Sequence, residues 1–116
     1  MKESIPPTIR PERVEPINVA FLSSELNLQH VSGKLEGSIT GISMNTSDLR
    51  PGDLFVAMPG LKTHGAKFAG KALELGAVAI VTDSAGLPEL SKFSAPVLLL
   101  ESPREHLGIL AAFVYG

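Results

Sequence analysis

No cysteine occurs in the 116 residues, which excludes disulfides and thiolate metal sites and fits a reducing, cytoplasmic setting. Positive charge is in no excess either: ten Lys and Arg stand against twelve Asp and Glu, a formal charge of −2. That balance leaves no electrostatic footprint for nucleic acid. It also means that an anionic ligand must be held by local donors, because the chain as a whole repels it. No apolar run approaches bilayer length, and the first residues carry no apolar core of the signal-peptide kind, so no membrane insertion is expected. Internal repeats and low-complexity tracts are missing too.

The same economy holds for reactive groups. The histidines His30, His64 and His106 are isolated, and Asp48, Asp53 and Asp83 stand singly in turns. No Ser-His-Asp arrangement and no carboxylate cluster for Mg²⁺ can be assembled from them. The string G-x-x-x-x-G-K-[ST] does not occur, so no phosphate-cradling loop for ATP is present in these residues. Neither a catalytic residue nor a metal ligand is expected here.

What is present is an ordinary globular balance, 44% hydrophobic and 19% charged, at a length that supports one core rather than two. Residues 1–17 hold four prolines and mixed charges and read as an extended segment; residues 18–116 read as the domain. Asn18 can cap a short helix over 19–26 that buries Val19, Leu22 and Leu26. Residues 30–37 form a polar connection or short strand, and 38–44 a strand with Ile39 and Ile42 as its apolar members.

The stretch from Thr40 to Thr82 organises the rest. After a hydroxyl-rich tip at 43–48, Arg50-Pro51-Gly52-Asp53 makes a turn, Pro fixing one φ and Gly accepting the positive φ of a type II turn. Leu54-Phe55-Val56-Ala57-Met58 is apolar throughout and too short for a helix, hence a buried strand. Pro59-Gly60 ends it, and 61–65 is a second polar loop. A helix over 66–75 follows, with Phe68, Ala72 and Leu75 on its apolar face, Lys67, Lys71 and Glu74 opposite, and Gly76 ending it. Ala77 to Thr82 is a second buried strand, so strand, helix and strand make a parallel crossover. One helical turn is expected over 87–90 and a further buried strand over 96–100. Ser102-Pro103-Arg104-Glu105 reads as a capping box that opens a last helix, lined by Leu107, Leu110, Ala111 and Val114. Ile109 and Phe113 widen that apolar stripe, which predicts cover on more than one side. The stop at Gly116 without a polar tail reads as a boundary, with the next domain supplying the cover. The expected fold is a small three-layer α/β sandwich with a partly parallel sheet of at least three strands.

The pattern G-I-S-x-x-[ST]-x-x-x-x-P-G-D-L-F-V-A-x-P-G over 41–60, followed by G-x-x-F and A-x-x-x-G-A-x-A-x-V-T, resembles the N-terminal domain of the Mur ligases. The likeness is strong from Gly37 to Asp83 and loose elsewhere. Within that family it is most similar to the branch that adds the third peptide residue to UDP-N-acetylmuramoyl-L-alanyl-D-glutamate. The resemblance implies a domain that holds the UDP end of that substrate. ATP and Mg²⁺ would be handled by an ATP-binding domain of the same chain that these residues do not include. The family reaction makes an acyl phosphate on the D-glutamate carboxylate from ATP; an amine then displaces phosphate to form the amide. These residues alone are therefore expected to be inactive and to carry no cofactor. Two other readings stand beside this one: the sister ligase that adds D-alanyl-D-alanine, and a stand-alone nucleotide-binding or protein-interaction module.

Residue by residue, the resemblance carries the uridine-contacting serine onto Thr46, which keeps the hydroxyl, with Met44 before the tip. Asn45-Thr46-Ser47 stand where the family usually has Asp-Ser-Arg, so the charged contacts of relatives are lost. Taken without the resemblance, this tip is plain turn chemistry. Leu61, Lys62 and Thr63 occupy the loop that in the family wraps uracil, mainly through main-chain groups. Asn45, Ser47 and His64 are possible additional contacts. His64 is assigned no chemistry; it could cap the helix poorly or contact ligand. For phosphate, the first turn of the 66–75 helix and Lys62 or Lys67 are the candidates, although Lys67 and Lys71 read better as a solvated face.

Overall fold

A computed structural model describes residues 15–60 and 63–115. Of the expected extended segment, only Glu15 to Ile17 fall within these. The chain builds β1 (Ile17–Asn18), α1 (Val19–Glu25), β2 (Gln29–Ser32), β3 (Ser38–Ile39), β4 (Gly41–Ser43) and β5 (Asp53–Ala57). It continues with α2 (Ala69–Glu74), β6 (Ala79–Thr82), α3 (Leu87–Leu90), β7 (Val97–Leu99) and α4 (Leu107–Tyr115). Short 3₁₀ turns precede α2, α3 and α4 and form the tip after β4.

The main sheet has five strands in the order β2-β7-β6-β5-β4. β4 to β7 run parallel, and β2 closes one edge antiparallel to β7. β1 and β3 form a separate antiparallel ribbon. Side chains alternate across the sheet as the period of two requires. Leu54, Val56, Ala79, Val81 and Leu98 point to one core, which α1 and α4 cover with Val19, Leu22, Leu110 and Val114. Phe55, Ala57, Ile80 and Val97 point to the other, covered by Ala66, Ala69 and Ala72 before and within α2 and by Leu90 of α3. Leu49, in the link from β4 to β5, packs on this second core as well. All three connections between successive parallel strands thus lie on one face, as connections of one hand must when the chain advances steadily across a sheet. The expected three-layer α/β fold is what forms.

Several local expectations hold in detail. Asn18 Oδ1 accepts from Ala20 N–H at 2.8 Å and Phe21 N–H at 3.3 Å, capping α1. Gly52 has φ +94°, and Asp53 N–H donates to Arg50 C=O at 3.1 Å, closing the Pro51-Gly52 turn. A side chain at Gly52 would collide with the Thr40 hydroxyl, so the turn requires glycine on two counts.

Three expectations are corrected. The strand over 38–44 is interrupted at Thr40, whose N–H donates to Gly52 C=O at 2.9 Å. Ile39 and Ile42 both enter the α1/α4 core, and two residues three apart cannot share a face of one unbroken strand. The break resolves that conflict. Phe68 lies outside both cores, with 49% of its surface exposed. It ends the 3₁₀ turn Gly65–Phe68, where residues advance about 120° rather than 100°, so the buried row becomes Ala66, Ala69 and Ala72. Ser102 makes no side-chain cap: it adopts φ +55°, and Glu105 N–H bonds its carbonyl instead, at 3.0 Å. With Ser102 in the left-handed region, the extended backbone that a capping box needs is lost.

Candidate functional site

Parallel strands gather ligands at their carboxyl ends, where loops of several strands meet. Here the carboxyl ends of β4 and β5 border a cleft of about 330 Å³. The tip after β4 supplies Met44, Asn45, Thr46 and Ser47; the loop after β5 supplies Met58, Pro59, Gly60, Thr63 and Gly65. Phe68 and Arg104 complete it.

Short-range bonds shape the tip. Asn45 Oδ1 accepts from Ser47 N–H at 3.1 Å and from the Ser47 hydroxyl. The buried Ser43 hydroxyl donates to Asp48 Oδ1 at 2.9 Å. These bonds turn the chain tightly and place Thr46, half-buried, against the cleft. Asn45 Oδ1 and the Ser47 hydroxyl are engaged within the tip, whereas no hydrogen bond engages the Thr46 hydroxyl among the described residues.

The second loop is built differently. Its two ends pair, Pro59 opposite His64, with Gly60 N–H donating to Thr63 C=O at 3.0 Å and Gly65 N–H to Met58 C=O at 2.7 Å. Gly65 allows this closeness, since a Cβ there would lie 3.0 Å from Met58 N. Distant residues tie the loop down. Thr82 Oγ1, at the end of β6, donates to Ala57 C=O at 3.1 Å. Arg104, after β7, donates from Nη2 to Pro59 C=O at 3.1 Å and brings a cation to the rim. His64 Nδ1 accepts from Ala66 N–H at 2.9 Å, and Nε2 lies 2.7 Å from Asp83 Oδ1. The first two amides of the Gly65–Phe68 turn are thus satisfied, Gly65 by Met58 and Ala66 by His64, rather than left open for an anion.

Met44, Asn45, Thr46, Ser47 and Thr63 are therefore gathered in one cleft, while His64 turns away from it into a bond with Asp83. Leu61 and Lys62 lie outside the described residues. Lys67 and Lys71 are exposed and line no part of the cleft, as their solvated-face reading has it. Sequence reasoning missed Phe68 and Arg104. Phe68 carries an available signal, the G-x-x-F spacing after a loop. Arg104 has a weaker one, its place just beyond the carboxyl end of a parallel strand. Among the described residues no group of three or more His, Cys, Asp or Glu is placed to hold a metal. Nor is any described helix long and apolar enough to cross a membrane.

A family model described as Mur ligase family, catalytic domain, matches residues 38–115, most of the chain. The chain belongs to the Mur ligase family. This Mur ligase chain is 40% identical over 107 residues to the UDP-N-acetylmuramoyl-L-alanyl-D-glutamate–2,6-diaminopimelate ligase of Streptomyces coelicolor, covering 92% of this chain and 21% of that protein. To the UDP-N-acetylmuramyl-tripeptide synthetase of Leifsonia xyli it is 37% identical over 111 residues, 95% of this chain and 21% of that one. It spans about a fifth of the length of the curated relatives it matches. Among solved structures, MurF from Acinetobacter baumannii superposes with a TM-score of 0.68 over 86% of this chain and 21% of its own, at 18% identity. At that identity the likeness establishes the Mur ligase fold alone.

Proposed function

We propose that the cleft binds the UDP end of UDP-N-acetylmuramoyl-L-alanyl-D-glutamate, on behalf of an ATP-dependent amide ligase that adds the third residue of the peptidoglycan precursor peptide. The observation that supports this most directly is that two loops separated in sequence, the 44–47 tip and the 58–65 loop, meet across one cleft with an aromatic ring and a guanidinium at its edge. Each part suits a part of the ligand. Phe68, Met44 and Met58 offer an apolar surface for the flat base. The Thr46 hydroxyl offers a hydrogen bond to uridine. Uracil has one imide donor and two carbonyl acceptors, which main-chain groups of the second loop can match. Arg104 offers a positive charge to the diphosphate, which the net charge of −2 does not.

The names of the relatives at 37–40% identity favour the branch that adds the third residue over the sister ligase that adds D-alanyl-D-alanine. ATP and Mg²⁺ belong, in this reading, to other parts of a longer protein. The share of these residues is positioning. Gripping the remote nucleotide end holds the reacting carboxylate in place and lowers the entropic part of the barrier.

Titrating the ¹⁵N-labelled chain with UDP tests the proposal. Amides of Met44, Asn45, Thr46, Ser47, Gly60, Thr63 and Gly65 and the Arg104 side chain are expected to shift most. Shifts confined to the separate groove lined by Val31, Ser84, Leu87 and Val97 would overturn it.

A further inference from the structure

We infer that His64 and Asp83 are positioning residues for the cleft, a latch that holds residues 58–60 and 63–65 in the shape that receives ligand; the inference rests on the nucleotide reading above. Neither residue lines the cleft, so neither is expected to touch the ligand. Both instead fix the backbone that does.

The argument begins with the imidazole. Its Nδ1 accepts the Ala66 N–H at 2.9 Å, so that nitrogen carries a lone pair and not a proton. The proton of a neutral ring therefore sits on Nε2, which donates to Asp83 Oδ1 at 2.7 Å. The same carboxylate oxygen accepts Gly86 N–H at 3.2 Å. One ring thus ties the end of the β5 loop to the start of the next helical turn and, through Asp83, to the loop after β6.

The setting leaves this ring little freedom. The side chains of His64 and Asp83 are only 14% and 13% exposed, so water competes poorly for their bond. Gly86 packs behind: a Cβ there would lie 2.7 Å from His64 Cε1 and would also strike the Thr82 hydroxyl. In the other direction the latch controls two cleft residues. Thr63 directly precedes His64, and Phe68 ends the 3₁₀ turn that His64 caps. A loop left loose would have to be ordered by the ligand, at the expense of affinity.

Four variants of the ¹⁵N-labelled chain test the latch: His64→Asn, which keeps a capping oxygen but is too short for Asp83; His64→Ala; Asp83→Ala; and Asp83→Asn, which keeps an acceptor for Nε2. Amide exchange at Gly60 and Gly65, the UDP dissociation constant and the imidazole ¹⁵N shifts are the readouts. Wild type is expected to show the Nε2–H tautomer. His64→Asn, His64→Ala and Asp83→Ala are each expected to speed exchange at Gly60 and Gly65, and to weaken UDP binding, by roughly three- to tenfold. Exchange at Leu54 and Val56 should stay unchanged, and Asp83→Asn should remain within about twofold of wild type on both readouts. An Nδ1–H tautomer, unchanged loop exchange in His64→Asn, or a loosened loop with undiminished UDP affinity would each overturn the latch. If Asp83→Ala does not fold, His64→Asn decides. Wild type that fails to bind UDP overturns the nucleotide reading and the latch together; wild type that binds while His64→Asn binds equally well overturns the latch alone.

Discussion

The two loops that border the cleft are both short and polar, yet the side-chain bonds that shape them differ in reach. The tip after β4 carries short-range side-chain bonds: Asn45 bonds Ser47 and Ser43 bonds Asp48, partners two and five residues apart. The loop after β5 has local bonds too, among them Ala66 N–H to His64, but it adds side-chain ties from far along the chain. His64 reaches Asp83, 19 residues on, and Pro59 is held by Arg104, 45 residues on. Bonds of the first kind need only neighbours in sequence. A loop of the second kind exists only once β6 and β7 are in place, so its order depends on the integrity of the whole sheet. The cleft joins a wall with short-range side-chain bonds to one whose side-chain ties cross the fold.

The sharpest way to break this contrast is Gly86→Ala. The added methyl collides with Thr82 and His64, beneath the second loop and away from the tip. A loss of about 3 kcal/mol is expected, the upper end of overpacking costs. In urea-induced unfolding this should appear as a lower midpoint, and in amide spectra as shifts at Gly60, Thr63 and Gly65 with Asn45 and Ser47 unmoved. Equal disturbance of both loops would show that the tip depends on the fold as well.

Arg104→Gln comes next, and it separates charge from shape. Losing the guanidinium should weaken UDP by about tenfold, since hydrogen bonds to charged groups are worth about 1.5 kcal/mol or more. Calorimetric affinity for uridine, which lacks the diphosphate, should change far less. An equal loss for both ligands would mean that Arg104 acts only by holding Pro59.

Asn45→Ala is the converse of the first variant. It removes the acceptor for Ser47 N–H and should cost about 1 kcal/mol by thermal or urea unfolding. Amide exchange should rise at Ser47 and stay constant at Gly60 and Gly65. Thr46→Val has the smallest effect on stability, within about 0.5 kcal/mol, because the hydroxyl engages no described partner. Its UDP affinity should nevertheless fall, by about 0.5–1.5 kcal/mol for one lost hydrogen bond. In a complete ligase that loss should raise KM more than it lowers kcat, since the contact is far from the reacting carboxylate. A stable variant with full affinity would remove Thr46 from the site.

Much of the architecture was legible because its causes are short-range. The apolar runs of β5 and β6, the Asn18 cap, the Pro51-Gly52 turn and the single helical turn over 87–90 all rest on residues within a few positions of each other. The tip lines the cleft, and its hydroxyls keep the turn chemistry that their side chains imply. Where expectation failed, a local rule met a longer-range demand. Phe68 matched the helical stripe, but the tight turn at Gly65 changed the angular step and swung the ring outward. Ser102 and Glu105 matched the capping pattern, but the exit from β7 placed Ser102 in the left-handed region, where no cap forms.

Legible in the sequence were the buried strands β5, β6 and β7, the helices packed on them, and a hydroxyl-bearing tip beside a buried strand. Those properties follow from spacing and from turn residues, which act over a few positions. Only the tertiary structure decided that His64 is a bridge to Asp83 rather than a solvated loop residue, that Arg104 joins the cleft, and that Thr40 breaks a strand. Each depends on groups brought together by the parallel sheet from well-separated parts of the chain, and no periodicity within one segment encodes such a meeting.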